Sequence, residues 1–264
     1  MDVFRTWSVG LDGGVVTASL PEPLRFPSGP LPEWMGRCAT AIRDALRELP
    51  IADGTVLEAT LAGAPPGDAD LGDALLYNVR IPEAHVRGGV RLRRAAAAGP
   101  GVIQSYRRVP LAAADDDDKA VLATLQVPLK GVFELDTARL VWLAVRRVGV
   151  GALPAGAAPP GGVELRARLV AESEREPVTT ELIERLLDGI RASFQVYAAD
   201  DLEGTARRLA AELKADQAEM STLLSSPRGA VLAAGERFAA VEVIVTSGAR
   251  AQLDIELRAI TAGA

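Results

Sequence analysis

Twice along this chain a short strand-like pattern gives way to a helix-period segment and then to further strand patterns. That order restricts the fold to layers of helix on sheet. In the first half, Val15–Leu20 is β-branched and short. Leu31, Trp34, Cys38, Ile42, Ala45 and Leu49 then recur at three- and four-residue steps, the spacing of one helix face, and Pro50 stops the segment. Thr55–Leu61 and Ala74–Val79 read as strands. Val90-Arg91-Leu92-Arg93 alternates, and Val102–Val109 reads as its partner across the Gly99-Pro100-Gly101 turn. Val121–Leu129 and Arg139–Val148 are apolar runs that fit a strand or a short helix equally well.

The second half restarts the plan. Val163–Leu169 alternates, and Leu182, Ile183, Leu186, Leu187, Ile190 and Phe194 mark a helix face with Thr179 or Thr180 as its cap. Asp200-x-x-Glu203 has the form of a capping box for a helix that turns Leu202, Ala206, Leu209 and Leu213 inward. A shorter helix carries Met220, Leu223 and Leu224, and Ser226-Pro227 starts another. Phe238–Val245 and Ala251–Ile260 read as a hairpin through Ser247-Gly248. The expected class is α+β, with largely antiparallel sheets covered by helices and two similar β-α-β-β halves. Gly149–Gly162, dominated by Gly, Ala and Pro, reads as a linker and divides the chain into expected domains 1–150 and 151–264.

Composition excludes several chemistries. The single cysteine, Cys38, forms no internal disulfide, and with one histidine, His85, it falls short of a structural zinc site. Cys38 lies on an apolar helix stripe, where a free cysteine is usually buried. No G-x-S-x-G elbow and no phosphate-cradling glycine loop is present. A net charge of −6 repels nucleic acid on average, so any phosphate site has to be a local patch. The first residues lack the plan of a secretory signal, and no apolar run is long enough to span a bilayer. These features predict a soluble, cytoplasmic protein with no membrane partner.

Two constellations carry chemistry. Asp68, Asp70 and Asp73 share a glycine-punctuated turn and suit Mg²⁺ if further carboxylates such as Asp188 and Asp201 join them; a solvated turn explains them as well. Arg80, Arg87, Arg91, Arg93, Arg94, Arg107 and Arg108 crowd a stretch that includes Tyr106. Arginines on a strand beside an aromatic suit phosphate and base contacts, and they also protect strand edges from mispairing.

Strand, helix, strand and then Asp70-Leu71-Gly72-Asp73 resembles the RusA type of Holliday-junction resolvase. Leu186-Leu187-Asp188-Gly189-Ile190, with Asp200-Asp201 following, is similar to that family's helix and downstream acidic pair. The resemblance implies a nucleic-acid-binding fold and Mg²⁺-dependent cleavage. In that reading Asp70, Asp73, Asp188 and Asp201 hold the metal while Arg91, Arg93, Arg94, Arg107 and Arg108 hold phosphates. The family's second aspartate falls on Gly72, its asparagine on Asp73, and no lysine lies near. The sequence favours the other reading: a non-enzymatic interaction, assembly or adaptor protein without a cofactor, docking a protein partner or another copy of itself.

Overall fold

The computed structural model describes residues 6–24, 32–63, 71–96, 101–111, 120–131, 137–148, 161–172, 178–195, 197, 201–226, 232 and 236–260. Along the chain the elements are β1 (Ser8–Asp12), β2 (Val15–Leu20), α1 (Glu33–Arg47), β3 (Thr55–Ala62), a π-helical turn (Asp73–Tyr77), α2 (Glu83–Val86), β4 (Gly89–Ala95), β5 (Val102–Pro110) and β6 (Val121–Pro128). They continue with α3 (Ala138–Val148), β7 (Val163–Ala171), α4 (Thr180–Ser193), α5 (Leu202–Leu213), α6 (Gln217–Ser225), β8 (Ala240–Ser247) and β9 (Gln252–Ala259). The class is α+β. Among the described residues no helix is long and apolar enough to cross a membrane.

The chain groups into two units, each drawing on both sides of residue 150. Unit 1 comprises Met1–Asp117, Arg175–Glu184 and Ala239–Thr246; unit 2 comprises Asp118–Glu174, Arg185–Phe238 and Ser247–Ala264. The Gly/Ala/Pro segment that suggested a linker lies outside the described residues up to residue 160.

In unit 1 the strand order is β1-β2-β5-β3-β4-β8. β3 and β4 run parallel, and the other pairs are antiparallel. The β1–β2 hairpin turns on Gly13-Gly14, with φ of +54° and +77°, the left-handed geometry of a two-residue hairpin loop. The expected pairing of β4 with β5 does not form: β3 lies between them. A Gly-Pro-Gly turn reverses the chain but does not decide which strand is adjacent. Here the parallel β3·β4 pair forms first in chain order, and β5 takes the other edge of β3.

Alternation divides this sheet into two faces. One carries Val16, Ala18, Leu20, Gln104, Tyr106, Leu57, Ala59, Leu61, Val90, Leu92 and Val243, all buried. The helical segments cover it. α1 turns Met35, Cys38, Ala39, Ile42 and Leu46 inward, and the Tyr106 hydroxyl donates to Gln104 Oε1 at 2.9 Å and to the Leu75 carbonyl at 3.3 Å. Ala74–Val79, expected as a strand, is helical instead. Ala74, Leu75, Leu76 and Val79 are buried and the exposed position within the run is the aromatic Tyr77, so hydropathy alone shows no helical period there. Gly89 permits the close approach of β4 to β8: its φ is +112°, and a Cβ there would fall 2.1 Å from the Val243 carbonyl oxygen.

In unit 2, β9 lies between β6 and β7 and pairs antiparallel with both. The expected β8–β9 hairpin is therefore absent as a pair, because β8 joins β4 in unit 1. Leu125, Val127, Leu253, Ile255, Leu257, Leu165 and Leu169 form the buried face. α3 begins at Thr137, whose Oγ1 accepts the Leu140 N–H at 3.2 Å. It packs so tightly on α4 that a Cβ on Gly189 would lie 2.4 Å from Val141 Cβ. Trp142, Leu143, Ala206, Ala210, Met220 and Leu224 make a second small core between α3, α5 and α6.

The two units share one connectivity. In each, a strand, a helix and a parallel second strand (β2-α1-β3; β6-α3-β7) are followed by a last strand, β5 or β9, that inserts between the first two. This split β-α-β arrangement recurs with its second copy beginning at β6, before residue 150, so the repeat does not divide the chain where the expected halves did.

Candidate functional site

The face of the unit 1 strands opposite Tyr106 places Arg107, Glu58, Arg91 and Glu242 directly opposite one another on β5, β3, β4 and β8. Charge alternates along this row. Arg91 Nε bonds Glu242 Oε2, and Arg91 Nη1 donates to the Pro110 carbonyl at 3.2 Å. Arg107 Nε donates to Glu58 Oε1 at 2.7 Å, and Arg93 Nε lies 3.8 Å from Glu58 Oε2. Glu58, Arg91 and Glu242 are at most 8% exposed. A charge so removed from water is tolerable only when paired, and here each has an opposite neighbour.

Arg108, one residue on, turns to the helix-covered face, as strand alternation requires. It donates to Thr55 Oγ1 at 3.0 Å, to the Thr55 carbonyl at 2.6 Å and to the His85 carbonyl at 2.9 Å. Arg94 also has a partner. The arginines expected to form one phosphate-gripping patch are thus divided between two faces, and Arg91, Arg107 and Arg108 are bound to acceptors in the protein.

Of the acidic candidates, Asp70 lies outside the described residues. Asp73 is exposed at the start of the π-helical turn in unit 1. Asp188, in unit 2, accepts from Arg191 Nη2 at 2.7 Å. Asp201 is the residue before α5, but its side chain makes no capping bond. Thr179 caps α4, its Oγ1 accepting the Leu182 N–H at 3.1 Å. Among the described residues no three Asp, Glu, His or Cys gather as a metal would require.

Sequence reasoning missed a cavity in unit 1. It has a volume of about 420 Å³ and is lined by Tyr77, Arg80, Glu83, Thr179 and Glu181, among others. Arg80 holds a left-handed φ of +54°, uncommon for a non-glycine residue. The π-helical turn ahead of it exposes Tyr77 while burying its neighbours. No local sequence signal announces a π turn.

The reactive side chains of unit 1 are buried. Burial pushes the Cys38 thiol up to about 12, so it stays protonated. His85 is lowered by burial first and by the Arg108 charge second, against a bond to the Leu46 backbone that raises it. In unit 2, the buried Arg146 donates to the Gln195 carbonyl at 3.1 Å and the Ser226 carbonyl at 3.4 Å, and it stacks 5.7 Å from the Tyr197 ring centre. These carbonyls lie just past the ends of α4 and α6, where helix dipoles supply negative charge.

The outward face of unit 2 carries a square of charges. Glu164 stands opposite Arg258, and Arg166 stands opposite Glu256. Bonds also run along the strands, from Arg166 to Glu164 at 3.3 Å and from Arg258 to Glu256. No family model, curated protein or solved structure matches the chain.

Proposed function

We propose that this chain is a non-enzymatic interaction protein of the cytoplasm that docks a protein partner or another copy of itself. The observation that carries the reading is the row Arg107–Glu58–Arg91–Glu242. The arginines best suited to a phosphate backbone are engaged by carboxylates on adjacent strands, so the two that reach solvent on this face, Arg93 and Arg107, already have their charge offset by Glu58. Balanced, partly apolar surfaces suit protein partners, because the centre of a protein interface disfavours unpaired charge. The buried Cys38 and His85 support the same reading, since neither is placed to meet a substrate.

The test sets two titrations side by side. Sedimentation and cross-linking of the chain, alone and with extract of its native cells, are expected to reveal saturable protein association. Titration with branched and linear DNA through a salt series, with and without Mg²⁺, is expected to give no binding at low salt. DNA binding that weakens steeply with salt and disappears on Arg93→Ala and Arg107→Ala would overturn the proposal.

A further inference from the structure

The two repeats differ at their outer edge. In the first, β2 is covered on its outer side by β1, which pairs with it antiparallel from Ser8↔Ser19 to Asp12↔Val15. In the second, the equivalent strand β6 is the outermost strand among the described residues. The bond from the Leu129 N–H to the Ala251 carbonyl sets the phase of β6 against β9. Residues 125, 127 and 129 turn their backbone groups toward β9, so Thr124, Gln126 and Pro128 turn theirs to the open edge. Val121–Pro128 contains no charged residue, whereas strands at sheet edges are usually blunted by charge. Pro128 lacks an N–H and limits the available ladder to the residues before it.

We infer that the open edge of β6 takes an antiparallel strand from a second copy of this chain, β6 against β6 about a two-fold axis, at the place β1 occupies in the first repeat. The inference rests on the interaction reading above and names its partner. Three observations favour a second copy. An uncharged strand meets itself without like-charge repulsion. In sequence, β6 is preceded by Asp115–Lys119, which is net negative despite Lys119, and followed by Lys130, so antiparallel order matches flanks of unlike net charge and parallel order matches flanks of like charge. The chain also already joins equivalent strands of its two repeats in this manner, β4 against β8 with Arg91 opposite Glu242. A two-fold pairing of this kind is self-complementary and closes.

Sedimentation equilibrium of the full chain over a concentration series is expected to show a mass of twice 27.7 kDa that falls toward 27.7 kDa on dilution. Thr124 and Gln126 have exposed side chains, so the double variant Thr124→Lys, Gln126→Lys should keep its circular dichroism and urea midpoint. It should raise the dimer dissociation constant by about tenfold or more through like charges set across the strand pair. Leu11→Lys, on β1, should leave the dimer intact. Hydrogen exchange of the unmodified chain gives a readout that needs no variant: the Thr124 and Gln126 amides should be protected when concentrated and exposed on dilution. A chain that stays monomeric, a dimer indifferent to the double variant, or a dimer lost with Leu11→Lys overturns the inference. A monomer that still binds a protein partner overturns it while leaving the interaction reading intact.

Discussion

The charged strand faces of the two units solve one problem in different ways. Unit 1 lines its charges in a single row across four strands, whereas unit 2 arranges them in a square over two. In the square, each charge has an opposite charge both along its strand and across it. In the row, Glu242 is the terminal carboxylate and bonds Arg91, while Glu58 is shared by Arg107 and Arg93. Redundancy, not the number of ion pairs, should decide which face tolerates substitution.

The sharpest test is a matched pair of deletions. Glu242→Ala leaves the buried Arg91 without its bonded carboxylate and should cost about 3–5 kcal/mol in urea unfolding. Glu256→Ala leaves Arg258 opposite Glu164 and should cost less, about 1–2 kcal/mol, because the remaining carboxylate still offsets the buried guanidinium. Equal costs would break the contrast. Gly189→Ala probes unit 2 from its helical side. The added methyl would clash with Val141 Cβ at 2.4 Å and with the Ala138 carbonyl oxygen at 2.5 Å, and should cost about 1–3 kcal/mol, read from the same unfolding curves.

A pH series separates the units further. The folded His85 is held below the usual imidazole value of about 6.5, so below that pH the unfolded chain takes up a proton that the fold refuses. Stability contributed by neutral His85 is complete above that value and declines as pH falls from about 7 toward 5. His85→Asn should flatten the dependence of Tm on pH through this window, and an unchanged slope would assign the dependence elsewhere. The smallest effect in unit 1 is Tyr106→Phe. It removes a buried hydroxyl bonded to Gln104 and should cost about 1 kcal/mol.

Local patterns carried much of the fold. Val163–Leu169 alternates because Val163, Leu165, Ala167 and Leu169 face the core while Glu164 and Arg166 face the charge pairs. The α1 stripe repeats about Cys38 and Ile42, although Met35 and Leu46 rather than Trp34 and Ala45 are its other buried members. Ala74–Val79 offered no such contrast. Neighbour relations between strands were also hidden: the turns before β5 and after β8 look like hairpins, yet each joins strands that pair elsewhere. The charge row was illegible for the same reason, since Arg91 and Glu242 lie 151 residues apart. A clue did exist. Glu58 and Glu242 each sit alone in an apolar strand, as Leu57-Glu58-Ala59 and Val241-Glu242-Val243, and a carboxylate in that setting requires a cation.

The return of β8 to unit 1 has a consequence for biogenesis. On the ribosome, the region up to β5 emerges first but cannot acquire its last strand until residue 246 has left the exit tunnel. The edge of β4 therefore stays bare through most of synthesis, the interval in which an unpaired edge is open to mispairing with another nascent chain.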